Sequence, residues 1–411
     1  MGKPSLYRSK LFNIEKLDVR TYTMFVALII MWIGFTYFTS NGFTNFGGSF
    51  LTSRNLSNLL LQMAITGILG TGAVLVIVSG GIDLSVGSVM GFIGCMGAAL
   101  QVWYHMNTVE VILICITTGC LIGLLQGSLI AYTGVPAFII TLAGLFVFRG
   151  GVLGITKGTT IAPLERSLVY FGQAYLSDFV TIIIAMVAIL FLVGSEIRRR
   201  IAKEKYHNVV EPLGKMVLRC IGYSAIILII VAILNSYRGL PVPVFIMLFL
   251  VLIFSFVAEK TIFGRKLYAI GGNIEAARYS GINVEKNMSL VYALNGFMAA
   301  IAGLILAGRL NAGTPEAGLN LELDAIAAAV IGGASLTTGG VGRVAGAILG
   351  GLIMTTMDNG MSMMNLDAYW QYIVKGIILA AAVWFDVKTK KGRTKVKASG
   401  STLENQVSTD L

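Results

Sequence analysis

The chain has 411 residues, of which 56% are hydrophobic and 12% charged, and it carries a formal net charge of +11. Water-soluble domains average about 45–50% apolar and roughly 25% charged residues, so this composition excludes an ordinary soluble enzyme or binding module. Apolar runs recur at lengths of about 17 to 25 residues, enough to cross a hydrocarbon core of roughly 30 Å, and a stretch such as Leu56 to Val78 lacks the alternation of a membrane-barrel strand.

In chain order, residues 1–20 form a charged segment, followed by a first span from Thr21 to Ser40. No small-residue cleavage site follows its apolar core, so it reads as a retained anchor. Further spans are expected at Leu56 to Val78, Leu84 to Trp103, Val111 to Ile130, Val135 to Ile155, Phe179 to Val193, Val217 to Leu234, Val242 to Val257 and Met288 to Ala307. Three more, Ala325 to Leu336, Val344 to Met357 and Tyr369 to Phe385, precede a basic tail over 387–411. Gly332-Gly333 and Thr337-Thr338-Gly339-Gly340 interrupt the tenth and eleventh, as in partial spans buried among neighbours. The expected fold is all-α: a polytopic transmembrane bundle over 21–386, with about 12 spans, some broken or partial.

Lysine and arginine set the orientation, because short loops rich in them stay in the cytoplasm. Of the 31 such residues, 23 fall in 1–20, 196–219, 259–286 and 387–411. Twelve crossings place these four segments on one face, so both termini and the loop around Glu275 are expected in the cytoplasm. The net charge then reads as topology signal and contact with anionic lipid, not as a nucleic-acid surface.

Glycines recur at four-residue spacing within spans: Gly87 and Gly91, Gly123 and Gly127, Gly150 and Gly154, Gly346 and Gly350. Such pairs let helix backbones approach closely in lipid, for static packing or for a moving interface. The segment Val76 to Gly91 is also loosely echoed by Val330 to Gly346, the kind of internal repeat that transporters carry.

Charges within the apolar region are few: Asp83, Arg149, Asp324, Asp358 and Lys375. Each should face the bundle interior, a watery path or an interface. Asp83, in Gly80-Gly81-Ile82-Asp83-Leu84-Ser85, reads either as an N-cap or helix-break residue at the cytoplasmic side or as part of a pathway. Ser85 and Asn359 join it as pathway candidates. Cys95, Cys115, Cys120 and Cys220 show no metal-type pairing, and His105 and His207 read as loop residues. The Gly-Lys pairs Gly2-Lys3 and Gly214-Lys215 are followed by Pro4 and Met216, so no Gly-x-x-x-x-Gly-Lys-Ser/Thr loop is present to cradle ATP phosphates by that route. No catalytic set, metal site or cofactor is expected in the chain.

The most polar internal feature is Gly271 to Asn283. Asn273 is placed to cap a short helix over Ile274 to Tyr279, Glu275 sits at its positive end, and Gly281 suits the left-handed turn that stops it. Ala276 and Ala277 are expected to give that helix a flat face for a groove on a soluble partner, with Arg278 beside them.

Glu275-Ala276-Ala277 with Gly281 resembles the signature by which membrane permease subunits of bacterial ABC importers contact their ATPase subunits. The later Ile-x-Leu-Pro part is absent, with Val291 and Ala293-Leu294 in its place, as is usual in the monosaccharide and branched-chain amino acid branch. Ser79 to Ser88, Pro136 to Gly144 with Arg149-Gly150, and Ala269 to Asn273 resemble the sugar permeases of that branch. Asp358 to Met364 and Trp370 to Gly376 look most like the xylose type, as does the extra pair of spans over about 177–235.

The resemblance implies a type II importer fold, a coupling loop over about 259–287, and coupling roles for Asn273, Glu275, Ala276, Ala277, Arg278 and Gly281. It implies ATP-binding ABC subunits that carry ATP and Mg, an extracytoplasmic sugar-binding protein, and a permease homodimer in the bacterial inner membrane. D-xylose is the expected cargo; the alternatives are another monosaccharide (ribose, galactose or arabinose) on the same machine, or an ion-driven sugar carrier.

Overall fold

The structure, a computed structural model, describes residues 19–40, 49–205, 210–384 and 387–388. All twelve apolar runs are helical in it. The helices are α1 (Val19–Thr39), α2 (Ser53–Val78), α3 (Val86–Val102), α4 (Thr108–Thr133), α5 (Ala137–Thr156), α6 (Arg166–Gln173), α7 (Asp178–Lys205), α8 (Leu213–Asn235), α9 (Val242–Lys260), α10 (Ile262–Gly272), α11 (Ile274–Tyr279), α12 (Val284–Leu310), α13 (Leu321–Ile331) and α14 (Gly346–Met363). A last helix, α15, covers Ala368–Trp384. The N-terminal segment before Val19 and nearly all of the basic tail lie outside the described residues, as does His207.

The chain is a multi-pass helical membrane protein. Among the described residues, seven helices (α2, α4, α5, α7, α8, α9 and α12) have the length and apolarity to cross a membrane, so helix length alone does not give twelve crossings. Thr23–Thr39 of α1, α3 and α15 are shorter apolar helices. The expected interruption falls between α13 and α14, where Gly333, Gly339, Gly340 and Gly342 adopt positive φ.

The bundle is organised around α12, which packs on α2, α3, α4 and α6. Tyr292 on α12 is the largest fully buried side chain among the described residues. Glycine makes this packing possible. A Cβ at Gly123 of α4 would collide with the Tyr292 carbonyl oxygen, and one at Gly119 would lie 2.5 Å from the Gly296 carbonyl oxygen. On α3, Gly94 abuts the Gly303 carbonyl of α12; on α14, Gly350 abuts the Ala328 carbonyl of α13. Backbone-to-backbone approach of this kind replaces the hydrophobic driving force that lipid removes. Gly150 and Gly154 on α5 differ: a Cβ at either would meet open space, so this pair does not pack within the chain.

The α7–α8 hairpin covers the stretch over about 177–235. It carries exposed apolar side chains along its length, among them Leu190, Phe191, Leu218 and Ile229. Its ends distant from the α7–α8 connection join the body of the protein, where Ser236 Oγ donates to Ser53 Oγ at 2.6 Å and Leu240 N donates to Thr181 Oγ1 at 3.1 Å.

Candidate pathway and coupling site

After α2, Gly80 (φ +87) turns the chain and the segment to Ser85 enters the protein. Asp83 Oδ1 accepts from Ser85 N and from Ser85 Oγ, each at 2.7 Å, and Asp83 Oδ2 accepts from Asn295 Nδ2 of α12 at 2.7 Å. Tyr292 donates its hydroxyl to the Ile82 carbonyl at 3.4 Å, and Thr141 of α5 donates to the same oxygen at 3.3 Å. Ser85 Oγ also lies 3.1 Å from Gln126 Oε1 of α4. With its single proton on Asp83, Ser85 Oγ is an acceptor toward α4, and a half-turn of the Gln126 amide would present Nε2, which has no partner among the described residues. Asp83, Ser85, Gln126 and Asn295 are all buried, and no room for a water molecule remains between them.

Asp83 and Ser85 therefore belong to one closed polar knot where α3, α4, α5 and α12 meet the 79–85 segment. The N-cap position of α3 is Ser85, two residues beyond Asp83. Asn295 lies about 16 Å along α12 from Val284 at 1.5 Å per residue, which places Asp83 deep in the bundle, whereas the cap reading of the sequence puts it at the rim. Gln126, Tyr292 and Asn295 are uncharged polar residues inside apolar runs, and a search for charges alone passes over them.

Asn359 lies elsewhere. Its side chain and that of Asn55 exchange two amide hydrogen bonds, at 2.8 and 3.0 Å, which lock α14 to the start of α2. Asn295 of the knot packs against Gly72 of α2, 17 residues or about 25 Å of helix from Asn55. The three pathway candidates are thus not one site.

The other intramembrane charges find partners. Lys375 Nζ on α15 pairs with Asp324 on α13 and with Asp358 on α14, both at 2.9 Å. Arg149 Nη1 donates to the Ala317 carbonyl at 3.3 Å. Glu322, which the sequence reading did not single out, is buried at the start of α13 against Gly87 of α3.

The 259–287 loop is mostly helical, as α10, α11 and the first turn of α12. Asn273 Oδ1 accepts from Ala276 N at 3.0 Å, capping α11, and Gly281 takes φ +77 in the turn after it. Arg278 reaches forward to Glu285 at 2.7 Å and back to Glu275 at 3.8 Å. The two-alanine face does not form. Successive helix residues point about 100° apart, and Ala277 is buried against the protein while Ile274, Glu275, Ala276, Arg278 and Tyr279 are exposed.

Just before α11, Gly271 is pressed between the Val78 carbonyl oxygen and Gly340, leaving no space for a Cβ. Gly340 N donates to the Val78 carbonyl at 2.8 Å, and Tyr268 of α10 donates its hydroxyl to the Gly342 carbonyl at 2.8 Å. Burial, reinforced by Glu259, pushes the Tyr268 phenol above its ordinary value, so it stays a donor. The two echoing segments of the sequence thus touch each other and the end of α10. Direct contacts join Gly271, just before α11, to the end of α2, from which the chain runs into the segment that carries Asp83.

Residues 55–383 match the model of the family described as branched-chain amino acid transport system / permease component. The xylose transport system permease protein of Haemophilus influenzae is 44% identical over 93% of this chain and 100% of its own length. That of Escherichia coli K12 is 47% identical over 92% of this chain and 94% of its own. The ribose import permease protein of Bacillus subtilis is 34% identical over 83% of this chain and 87% of its own. No solved structure gives a match. The chain belongs to the branched-chain amino acid transport system / permease component family.

Proposed function

We propose that this chain is the membrane subunit of an ATP-driven importer for a pentose, D-xylose, and that two copies enclose the pathway. The observation that carries the reading is the 44–47% identity, across nearly the whole chain, to proteins named xylose transport system permeases. Two ATPase subunits carry ATP and Mg and bind at α11, and a sugar-binding protein delivers cargo from outside. Both termini and α11 face the cytoplasm, and the membrane is the bacterial inner membrane. Coupling falls to Asn273, Glu275, Ala276, Arg278 and Gly281, with Ala277 seating the helix against the bundle.

In this mechanism the closing ATPases displace α11. Gly271 transmits the displacement by direct backbone contact to the end of α2, and the 79–85 segment shifts against α12. The Asp83–Asn295 bond is then made in one state and broken in the other, so the knot works as a lock and not as a sugar-binding site. Because the binding protein supplies selectivity, the path itself needs few polar groups.

Reconstitution in proteoliposomes tests this. D-xylose uptake and D-xylose-stimulated ATP hydrolysis are expected only when the chain, its ATPase and its binding protein are all present. Stimulation by ribose but not xylose would favour the second reading, which the ribose permease relatives motivate. Uptake by the chain alone, driven by an ion gradient without ATP, would contradict both.

A further inference from the structure

The end of the α7–α8 hairpin toward its connection holds a cavity of about 370 Å³, lined by Arg199, Arg200, Lys203 and Arg219 together with Glu196 and Glu211. Four cations face two carboxylates there. Arg219 is held by Glu196 at 3.0 Å and by Glu211 at 3.1 Å, and Arg199 approaches Glu196 at 3.3 Å. Arg200 donates to the Glu211 carbonyl at 2.9 Å and pairs with Glu204. Arg219 and Arg200 tie α7 to α8 and its leading residues, and the lining side chains carry four formal positive charges against two negative ones. Arg219 Nε is buried and has no hydrogen-bond partner among the described residues, a donor in search of an acceptor.

The position of the cavity narrows the ligand. It begins one to two turns after the exposed Leu190 and Phe191, where the apolar run of α7 gives way to charge, and it adjoins the exposed Leu218 of α8. A basic recess at the level where a lipid-facing surface becomes polar is where a phosphate-bearing headgroup lies while its acyl chains cover the apolar faces below. Guanidinium groups bind phosphate oxygens through paired N–H donors, which matches three arginines around one recess.

The geometry points to a binding site for the headgroup of an anionic phospholipid in this cavity. The lipid neutralises the lining and anchors the hairpin, which has little other packing of its own. The site rests on the membrane embedding of the chain and is independent of which sugar is carried.

Native mass spectrometry of the purified full-length protein tests it, after exchange into phosphatidylcholine nanodiscs doped with phosphatidylglycerol or cardiolipin. The anionic lipid is expected to stay bound in preference to phosphatidylcholine. In Arg199→Gln/Lys203→Gln its retention should fall roughly 30-fold, as follows from removing two basic groups near the surface. Equal retention of anionic and zwitterionic lipid, or wild-type retention in the variant, would overturn the proposal. Inorganic phosphate that binds the same residues with no preference among lipids would also overturn it, reassigning the recess to a free anion. Helix content by circular dichroism is read alongside, and the charge-keeping Arg199→Lys/Lys203→Arg must retain the lipid, so a folding defect cannot imitate the result. Sugar uptake measured on the same preparation reports the importer reading separately.

Discussion

Asn295 on α12 donates its side-chain amide to Asp83 at 2.7 Å, tying the central helix of the bundle to the segment that follows α2. Asp83→Ala removes the acceptor for Asn295 Nδ2 and for Ser85 at once. Each orphaned buried group costs about 1–3 kcal/mol, so a lower unfolding temperature in detergent and a marked loss of sugar uptake are expected. Asp83→Asn keeps oxygen at the site and should recover most of the stability. Wild-type stability and uptake in Asp83→Ala would remove this residue from the mechanism.

Lys375 lies between Asp324 and Asp358, and each pairing is at 2.9 Å. Lys375→Met strands the buried Asp324 and the part-exposed Asp358, and leaving a buried charge without its partner costs about 3–5 kcal/mol. Combining it with Asp324→Asn and Asp358→Asn should return much of that loss. Thermal unfolding of the two variants beside wild type decides: if the triple variant is no more stable than Lys375→Met, the cluster is not the source of the defect.

Two glycines of equal appearance in the sequence should respond oppositely. Gly123 meets the α12 backbone, so Gly123→Val forces α4 away, and overpacking of this kind costs typically about 1–3 kcal/mol. Gly150 meets nothing within 4 Å in its own chain, and Gly150→Ala should leave monomer stability within about 0.5 kcal/mol of wild type. A comparison of unfolding temperatures checks both. A changed oligomeric state in a bulkier Gly150 variant would place a second copy against α5.

Gly281→Val puts a β-branched residue at φ +77, a conformation that costs on the order of 1–3 kcal/mol for such side chains. The turn after α11 should shift, and sugar-stimulated ATP hydrolysis should fall while the ATPase retains its basal rate. Unchanged stimulation and uptake would show that this turn takes no part in coupling.

Much of this architecture is legible in local sequence, because local physics fixes it. The twelve apolar runs are helices, and Asn273 and Gly281 occupy the cap and the turn that their chemistry suits. Helix α6, only eight residues long, escapes a search for spans: its structural role lies in Gly172 meeting the Arg309 backbone, far away in the chain. The meeting of Lys375 with two aspartates, and of Asp83 with Asn295, arises from tertiary packing that no spacing encodes. The two-alanine face failed for a simpler reason, since adjacent residues on a helix cannot share one side. Asn359, a pathway candidate in the sequence, exchanges amide hydrogen bonds with Asn55, a partner 304 residues away that no local pattern marks.

The central claim is that an ATPase drives this chain through α11. Tyr279 is 88% exposed on that helix, so a photo-crosslinking side chain placed there, in the assembled complex in native membranes, tests the claim most directly. The account predicts a covalent adduct with the ATPase subunit whose yield changes on adding ATP and D-xylose. Continued sugar import with no adduct from Tyr279 or from its exposed neighbours Ile274 and Ala276 would contradict it.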